Sequence, residues 1–192
     1  NATFQIKFAR NLPLRACRSS SLRVKRGKKM SKNVIFIGFM GSGKSTLGKA
    51  LAKALGAEFI DTDKLIKKRL GKEISVIFAE FGEEFFREQE KKIAKELLQL
   101  NGAVIATGGG FYKALQKNKN SVIIYLKASF EFLEQRLSKN RLGKRPLFAN
   151  SAKARALYNE RLVGYEKIAD IIVNVEHKGI KKLVDEIAKD LK

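Results

Sequence analysis

The sequence predicts an α/β fold of three layers, α/β/α, with a five-stranded parallel sheet at its centre. Three observations predict it. Five short apolar, β-branched runs recur along the chain, helix-like stretches alternate with them, and a glycine-rich loop, GFMGSGKST (38–46), joins the first run to the first helical stretch. Strands that alternate with helices pair in parallel and need cover on both faces. At 192 residues the chain is about one domain long.

The strand candidates are NVIFIG (33–38), EFID (58–61), AVIAT (103–107), SVIIYL (121–126) and DIIVNV (170–175). Each is too short for a helix and reads as a buried strand. Between and after them lie KSTLGKALAKALG, DKLIKKRL, EEFFREQEKKIAKELLQL, SFEFLEQRLSKN, SAKARALYNERLVGYEKI and GIKKLVDEIAKDL. In the third of these, Phe85, Ile93, Leu97 and Leu100 approximate one helical face. Gly56 and Gly102 stand where helices stop, and Ser129 suits an N-cap. His177, the single histidine, reads as a surface loop residue after the last strand.

Charge is the unusual bulk property: 40 Lys and Arg against 19 Asp and Glu, formally +21. Such a balance points to anionic partners, whether nucleic acid, an acidic membrane surface or nucleotides. Nine of the basic residues lie in residues 1–29, which hold no acid, leaving 31 against 19 from Met30 onward. Residues 1–29 therefore read as a basic leader outside the fold, either sequence upstream of a start at Met30 or added sequence. An Arg- and Ser-rich organelle-targeting peptide is the competing reading. The domain is expected over residues 30–192. The lone Cys17 excludes an internal disulfide framework and suits a reducing, cytoplasmic setting. No apolar run approaches the roughly 18 residues of a spanning helix, so no membrane role is expected.

The loop carries chemistry. Gly38-x-x-x-x-Gly43-Lys44-Ser45 matches the phosphate-binding pattern G-x-x-x-x-G-K-[ST] in full. Glycines let successive N–H groups turn inward around a phosphate, and the following helix adds its positive end. Lys44 would reach the β/γ-phosphates, and the Ser45 hydroxyl would ligate Mg²⁺. Gly41, Ser42, Gly43, Lys44, Ser45 and Thr46 are thus the nucleotide-binding candidates. The strand AVIAT ends in TGGG, with no acid for the magnesium shell, so the carboxylates must come from Asp61 and Asp63 at the end of EFID. Two apart in an extended segment, they would face one cleft. One could hold the metal shell while the other takes a proton from an acceptor hydroxyl. The plainer alternative is that Asp63 only N-caps the next helix.

Taken in order, GFMGSGKST, FIDTD, FGEEFFREQE, ATGGG, KRPLF and RLVGY make residues 33–174 resemble shikimate kinase, a small-metabolite kinase family of aromatic amino-acid biosynthesis. The resemblance implies a nucleoside-monophosphate-kinase-like P-loop fold with a mobile lid. It also implies transfer of phosphate from ATP, with Mg²⁺, to the 3-hydroxyl of shikimate by a monomeric enzyme. It assigns Asp61 to magnesium and Asp63 to the acceptor hydroxyls as candidate base. The acceptor-binding arginines fall on Arg87, with Glu90 as partner, and on Arg161, and the triple glycine on Gly108, Gly109 and Gly110. The acceptor region spans about 62–90 and the lid about 139–150. The lid arginine falls on Arg145, catalytic and nucleotide-contacting, while the adenine-side arginine falls on Arg141 or Arg136. PLF stands where PLL is usual.

These residue types suit the task. Shikimate is a carboxylate with three ring hydroxyls, and a guanidinium fork is the best planar match to a carboxylate. The basic, Gly- and Pro-containing stretch SKNRLGKRPLF reads as a flap that closes over phosphates. Alone, Arg87 would read as a solvated helix residue paired with Glu83, Glu84 or Glu90. Another small-metabolite kinase, such as a gluconate kinase, is the nearest alternative, because gluconate is also an acidic polyol. From another class, a nucleotide-gated nucleic-acid binder would suit the charge, but much of that charge is in the leader and no aromatic–basic interleaving occurs.

Overall fold

The computed structural model of the chain describes residues 30–139 and 150–191. The basic leader and most of the expected lid, Arg141 and Arg145 included, lie outside them. Five strands form one sheet: β1 (Asn33–Ile37), β2 (Glu58–Asp61), β3 (Ala103–Ala106), β4 (Ser121–Lys127) and β5 (Ile171–Asn174). Their order is β2-β3-β1-β4-β5, with every pairing parallel. The helices are α1 (Lys44–Leu55), α2 (Thr62–Leu70), α3 (Ile74–Leu97), α4 (Phe130–Lys139), α5 (Ser151–Ile168) and α6 (Ile180–Asp190), with a 3-10 turn at Phe111–Ala114. Among the described residues no helix is long and apolar enough to cross a membrane.

Burial explains the layering. Every residue of β1 and β3 is buried, so both faces of the central strands are covered. The edge strands β2 and β5 are only partly buried, and β5 leaves Ile172 exposed. Phe36, Ile37, Val104, Ile105, Ile123 and Ile124 form the middle of one continuous core. The amphipathic α6 covers it with Leu183, Val184 and Ile187.

Local chemistry sets the element ends. Gly56 closes α1 in the left-handed region at φ 62°, its N–H reaching the Ala52 and Lys53 carbonyls. Ser129 caps α4, accepting from the Phe132 N–H at 3.3 Å. Gly102 is not a helix stop, because α3 already ends at Leu97. At φ 75° it instead lets the Met30 carbonyl approach where a Cβ would stand. The span of α3 is two helical segments that meet at a break at Gly82 (φ 79°, ψ 174°): the second begins where the sequence pattern places it, at Glu83, and the first, from Ile74, lies outside that pattern. The inward face beyond the break is Phe86, Glu90, Ile93, Ala94 and Leu97, with Phe85 only half-buried. That register places one carboxylate, Glu90, among apolar neighbours. His177 sits in an exposed turn after β5 at φ 55°, its ring edge-on to Phe132 at 5.6 Å.

Asn33 ties the sheet to α3 at the edge opposite the glycine loop. Its side chain donates to the Leu97 and Leu100 carbonyls at 3.3 and 2.8 Å and accepts from the Ala103 N–H at 3.0 Å. Replacing it removes these three hydrogen bonds, and only the Leu97 carbonyl keeps another partner among the described residues, the Leu100 N–H at 3.1 Å. Asn33→Ala should lower stability by about 2–4 kcal/mol, measured by urea denaturation. A loss below about 0.5 kcal/mol would show that water replaces the side chain there.

Candidate active site

Strand β1 ends in the glycine loop, so the loop sits at the carboxyl edge of the sheet, where open α/β sheets bind ligands. Gly38, Gly41 and Gly43 have φ of 140°, 84° and 95°, a path that L side chains rarely follow. Lys44 is buried, and its Nζ donates to the Gly38 and Phe39 carbonyls at 2.8 and 2.9 Å. The ammonium thus lies within the cradle. The Arg136 guanidinium also reaches it, 3.5 Å from where a Gly43 Cβ would be. A cleft of about 250 Å³ opens here, lined by Gly41, Gly43, Lys44, Ser45, Thr46, Asp63, Thr107, Gly108, Gly109 and Arg136 among others.

The two aspartates meet this cleft differently from the expected extended pair. The strand ends at Asp61, and Thr62 and Asp63 already belong to the first turn of α2. Asp61, not Asp63, is the N-cap, accepting from the Lys64 N–H at 3.2 Å. Its other oxygen accepts from the Ser45 hydroxyl at 2.8 Å. Asp63 lies further along the cleft, with Oδ1 2.5 Å from where a Gly108 Cβ would stand. Thr62, fully buried between them, accepts from the Gly108 N–H at 3.2 Å. The turn, not strand alternation, brings both carboxylates to one site.

The end of β3 supplies the far wall. A Cβ on Gly109 would lie 2.9 Å from Arg161 Nη1, and one on Gly110 would overlap the Arg87 guanidinium. The three glycines therefore stand against Asp63, Arg161 and Arg87 in turn. Arg87 comes from α3 and Arg161 from α5, and the structure brings both to this wall. Arg161 is buried, its Nε lacking a hydrogen-bond partner among the described residues, and its guanidinium lies 5.9 Å from the Phe39 ring centre.

Arg87 is held by two acids. Its Nη1 donates to Glu90 at 2.6 Å, while Nε and Nη2 both donate to Glu83, at 3.0 and 2.7 Å. Glu90 is buried, with one oxygen unpartnered among the described residues. Burial pushes its carboxyl above the usual range against the pull of Arg87, and the nearby Asp63 charge adds to the rise. Glu83 is exposed, and its hydrogen bond to Arg87 holds it below the usual range. Sequence reading had Glu83 and Glu90 as helix neighbours of Arg87. It assigned nothing to Thr62 or to Tyr165, whose hydroxyl donates to the Gly109 carbonyl at 2.6 Å. The position of Thr62 between two candidate acids was the available signal.

The metal expectation rests on the pair Ser45 Oγ and Asp61 Oδ2. Among the described residues no cluster of three or more His, Cys, Asp or Glu could hold a metal. Two oxygens beside a phosphate cradle do suit Mg²⁺, which keeps several waters and shares its shell with phosphates.

Comparison with known proteins adds independent findings. The family model described as "Shikimate kinase" matches residues 40–192. The shikimate kinase of Caldanaerobacter subterraneus is 40% identical over 165 residues, covering 82% of this chain and 95% of that protein. A solved shikimate kinase from Acinetobacter baumannii, in complex with shikimate, superposes with a TM-score of 0.74 at 30% identity. It covers 85% of this chain and 94% of its own. A gluconokinase from Sinorhizobium meliloti reaches a TM-score of 0.52 at 18% identity, covering 85% and 93%, and shares the fold alone.

The raised Glu90 carboxyl has a pH signature. The folded protein keeps that proton above the ordinary value of 4.5, so it binds more protons there than the unfolded chain. Stability therefore falls as pH rises from about 4.5 to the folded value. Relative to Glu90→Gln, wild type should lose stability across that window and then level off, read from urea midpoints at each pH. A relative gain with rising pH would mean that pairing with Arg87 outweighs burial.

Proposed function

The chain belongs to the shikimate kinase family, and on that premise we propose that it transfers the γ-phosphoryl group of ATP to the 3-hydroxyl of shikimate. The products are ADP and shikimate 3-phosphate. One observation carries the reading: Asp63, Arg87 and Arg161 come from three separate helices to a glycine wall that shares its cleft with the phosphate cradle.

The assigned roles follow from chemistry. Loop N–H groups from Gly41 to Thr46 hold the triphosphate, and Lys44 leaves its carbonyl partners to meet the β/γ-phosphates. Ser45 and Asp61 would hold Mg²⁺, which supplies charge neutralisation between the phosphates. Asp63 accepts the proton of the attacking hydroxyl as its oxygen bonds to the γ-phosphorus and the bond to the β-phosphate oxygen breaks. Arg87 and Arg161 grip the shikimate carboxylate, and Gly108, Gly109 and Gly110 let the ring approach without obstruction. Arg136, lying over Gly43, serves the nucleotide side. Arg145 and Arg141, in the expected lid, bring further positive charge to the transferring group. Every residue invoked comes from one chain, so a monomer suffices.

A gluconate kinase remains the nearest other reading, since gluconate pairs a carboxylate with hydroxyls. Two arginines and a side-chain-free wall suit a compact ring acid better than an extended chain. The deciding experiment is an ADP-release assay with shikimate, with gluconate and with no acceptor. Turnover with shikimate is expected; turnover with gluconate alone would overturn the assignment. Arg87→Ala should raise KM for shikimate about 10- to 100-fold with ATP KM unchanged. Lys44→Ala should lower kcat by about 10²-fold or more. Equal effects of both on ATP affinity would contradict the division of labour.

A further inference from the structure

Arg161 poses a question that its own contacts do not answer. It is almost wholly buried, no ion pair to it occurs among the described residues, and its Nε has no hydrogen-bond partner there. A long, flexible guanidinium needs something to aim it before it can bind a carboxylate bidentately. Its neighbours are the Phe39 ring, the Gly109 backbone and Tyr165, one helical turn further along α5.

Tyr165 is itself unusually fixed. Its side chain is fully buried, with the Tyr112 ring edge-on at 4.8 Å and the Tyr125 ring tilted at 5.1 Å. The adjacent Gly164 lets the Tyr112 ring lie where a Cβ would otherwise be. The phenol donates to the Gly109 carbonyl at 2.6 Å, and it lies 3.8 Å from where a Gly109 Cβ would stand, on the same spot as Arg161. The peptide bonds are trans, so fixing the Gly109 carbonyl turns the Gly110 N–H to the opposite side. Burial pushes the Tyr165 phenol above its usual range, with the nearby Arg161 charge opposing that rise. The phenol is therefore a neutral donor to Gly109, and its oxygen faces the same spot over Gly109 as the Arg161 guanidinium.

We propose that Tyr165 is a positioning residue for the acceptor: its hydroxyl sets the Gly109 peptide and aims the Arg161 guanidinium at the acceptor carboxylate. It touches no reacting atom, and it acts on the half of the site opposite the nucleotide. The proposal rests on the acceptor being a carboxylate held by Arg161, as in the function proposed above.

The test compares Tyr165→Phe with Tyr158→Phe. Both rings stay, and each variant loses one buried hydroxyl on α5; that of Tyr158 donates to the Ala128 carbonyl at 2.8 Å. Tyr165→Phe should raise KM for shikimate about tenfold, with kcat and ATP KM within about twofold. Tyr158→Phe should leave all three in place, whatever each variant does to stability. In an Arg161→Ala background the Tyr165→Phe effect should shrink several-fold, because the aimed group is gone and only the hold on the Gly109 peptide is left. An unchanged shikimate KM, an equal shift in Tyr158→Phe, or a full effect in the Arg161→Ala background would each overturn the proposal. Failure of the wild-type chain to use shikimate would instead overturn the underlying function.

Discussion

The site depends on absence of bulk at the end of β3. Three successive residues without side chains stand against three charged heads from three helices. A Cβ at any of them would enter the space of Asp63, Arg161 or Arg87. The constraint runs deeper than clearance, because the glycine backbone is also pinned from both sides. Thr62 accepts from the Gly108 N–H, and Tyr165 donates to the Gly109 carbonyl. The wall is therefore hydrogen-bonded on two sides to helices that carry the charges, α2 through Thr62 and α5 through Tyr165. The β3 strand that leads into it is buried at every position, so the wall stands on a strand covered on both faces.

Charge is handled asymmetrically around that wall. Arg87 carries a buried acid on one nitrogen and an exposed acid on the other edge, whereas Arg161 is buried beside an aromatic ring and a phenol. Burying an ion without a charged partner is expensive, a cost that an acceptor carboxylate held as proposed above would lower. The arrangement suits a pocket whose electrostatics are completed by its guest.

Much of this was legible in the sequence. The five strands stand within a residue or so of the apolar runs, because β-branched runs between helical stretches have few other uses. The glycine loop was unmistakable, since its conformations demand its glycines. Asp61, Asp63, Arg87 and Arg161 were named from motifs and do converge. The reason given for the aspartates was wrong in detail, because strand alternation ends at Asp61 and a helical turn takes over. The stretch read from Glu83 matches the part of α3 beyond the break at Gly82 (φ 79°), whereas the helical segment before that break was not read from the sequence. Tyr165 and Thr62 escaped notice because a hydroxyl's partner is a backbone group far away in sequence, and no spacing rule encodes that pairing. Arg141 and Arg145 fall outside the described residues, so their placement rests on motif alone.

The double grip on Arg87 has a consequence for how the pocket discriminates. Its Nε and Nη2 already carry the Glu83 carboxylate, tethered four residues away on the same helix. On the function proposed above, entry of an organic acid would exchange one anion for another, and the guanidinium would keep its charge balance. A neutral sugar alcohol has nothing to offer in that exchange and leaves Glu83 seated. Among acids, net attraction would then be largely cancelled as a sorting criterion, leaving the contour of the guest between the glycines and the arginines to decide.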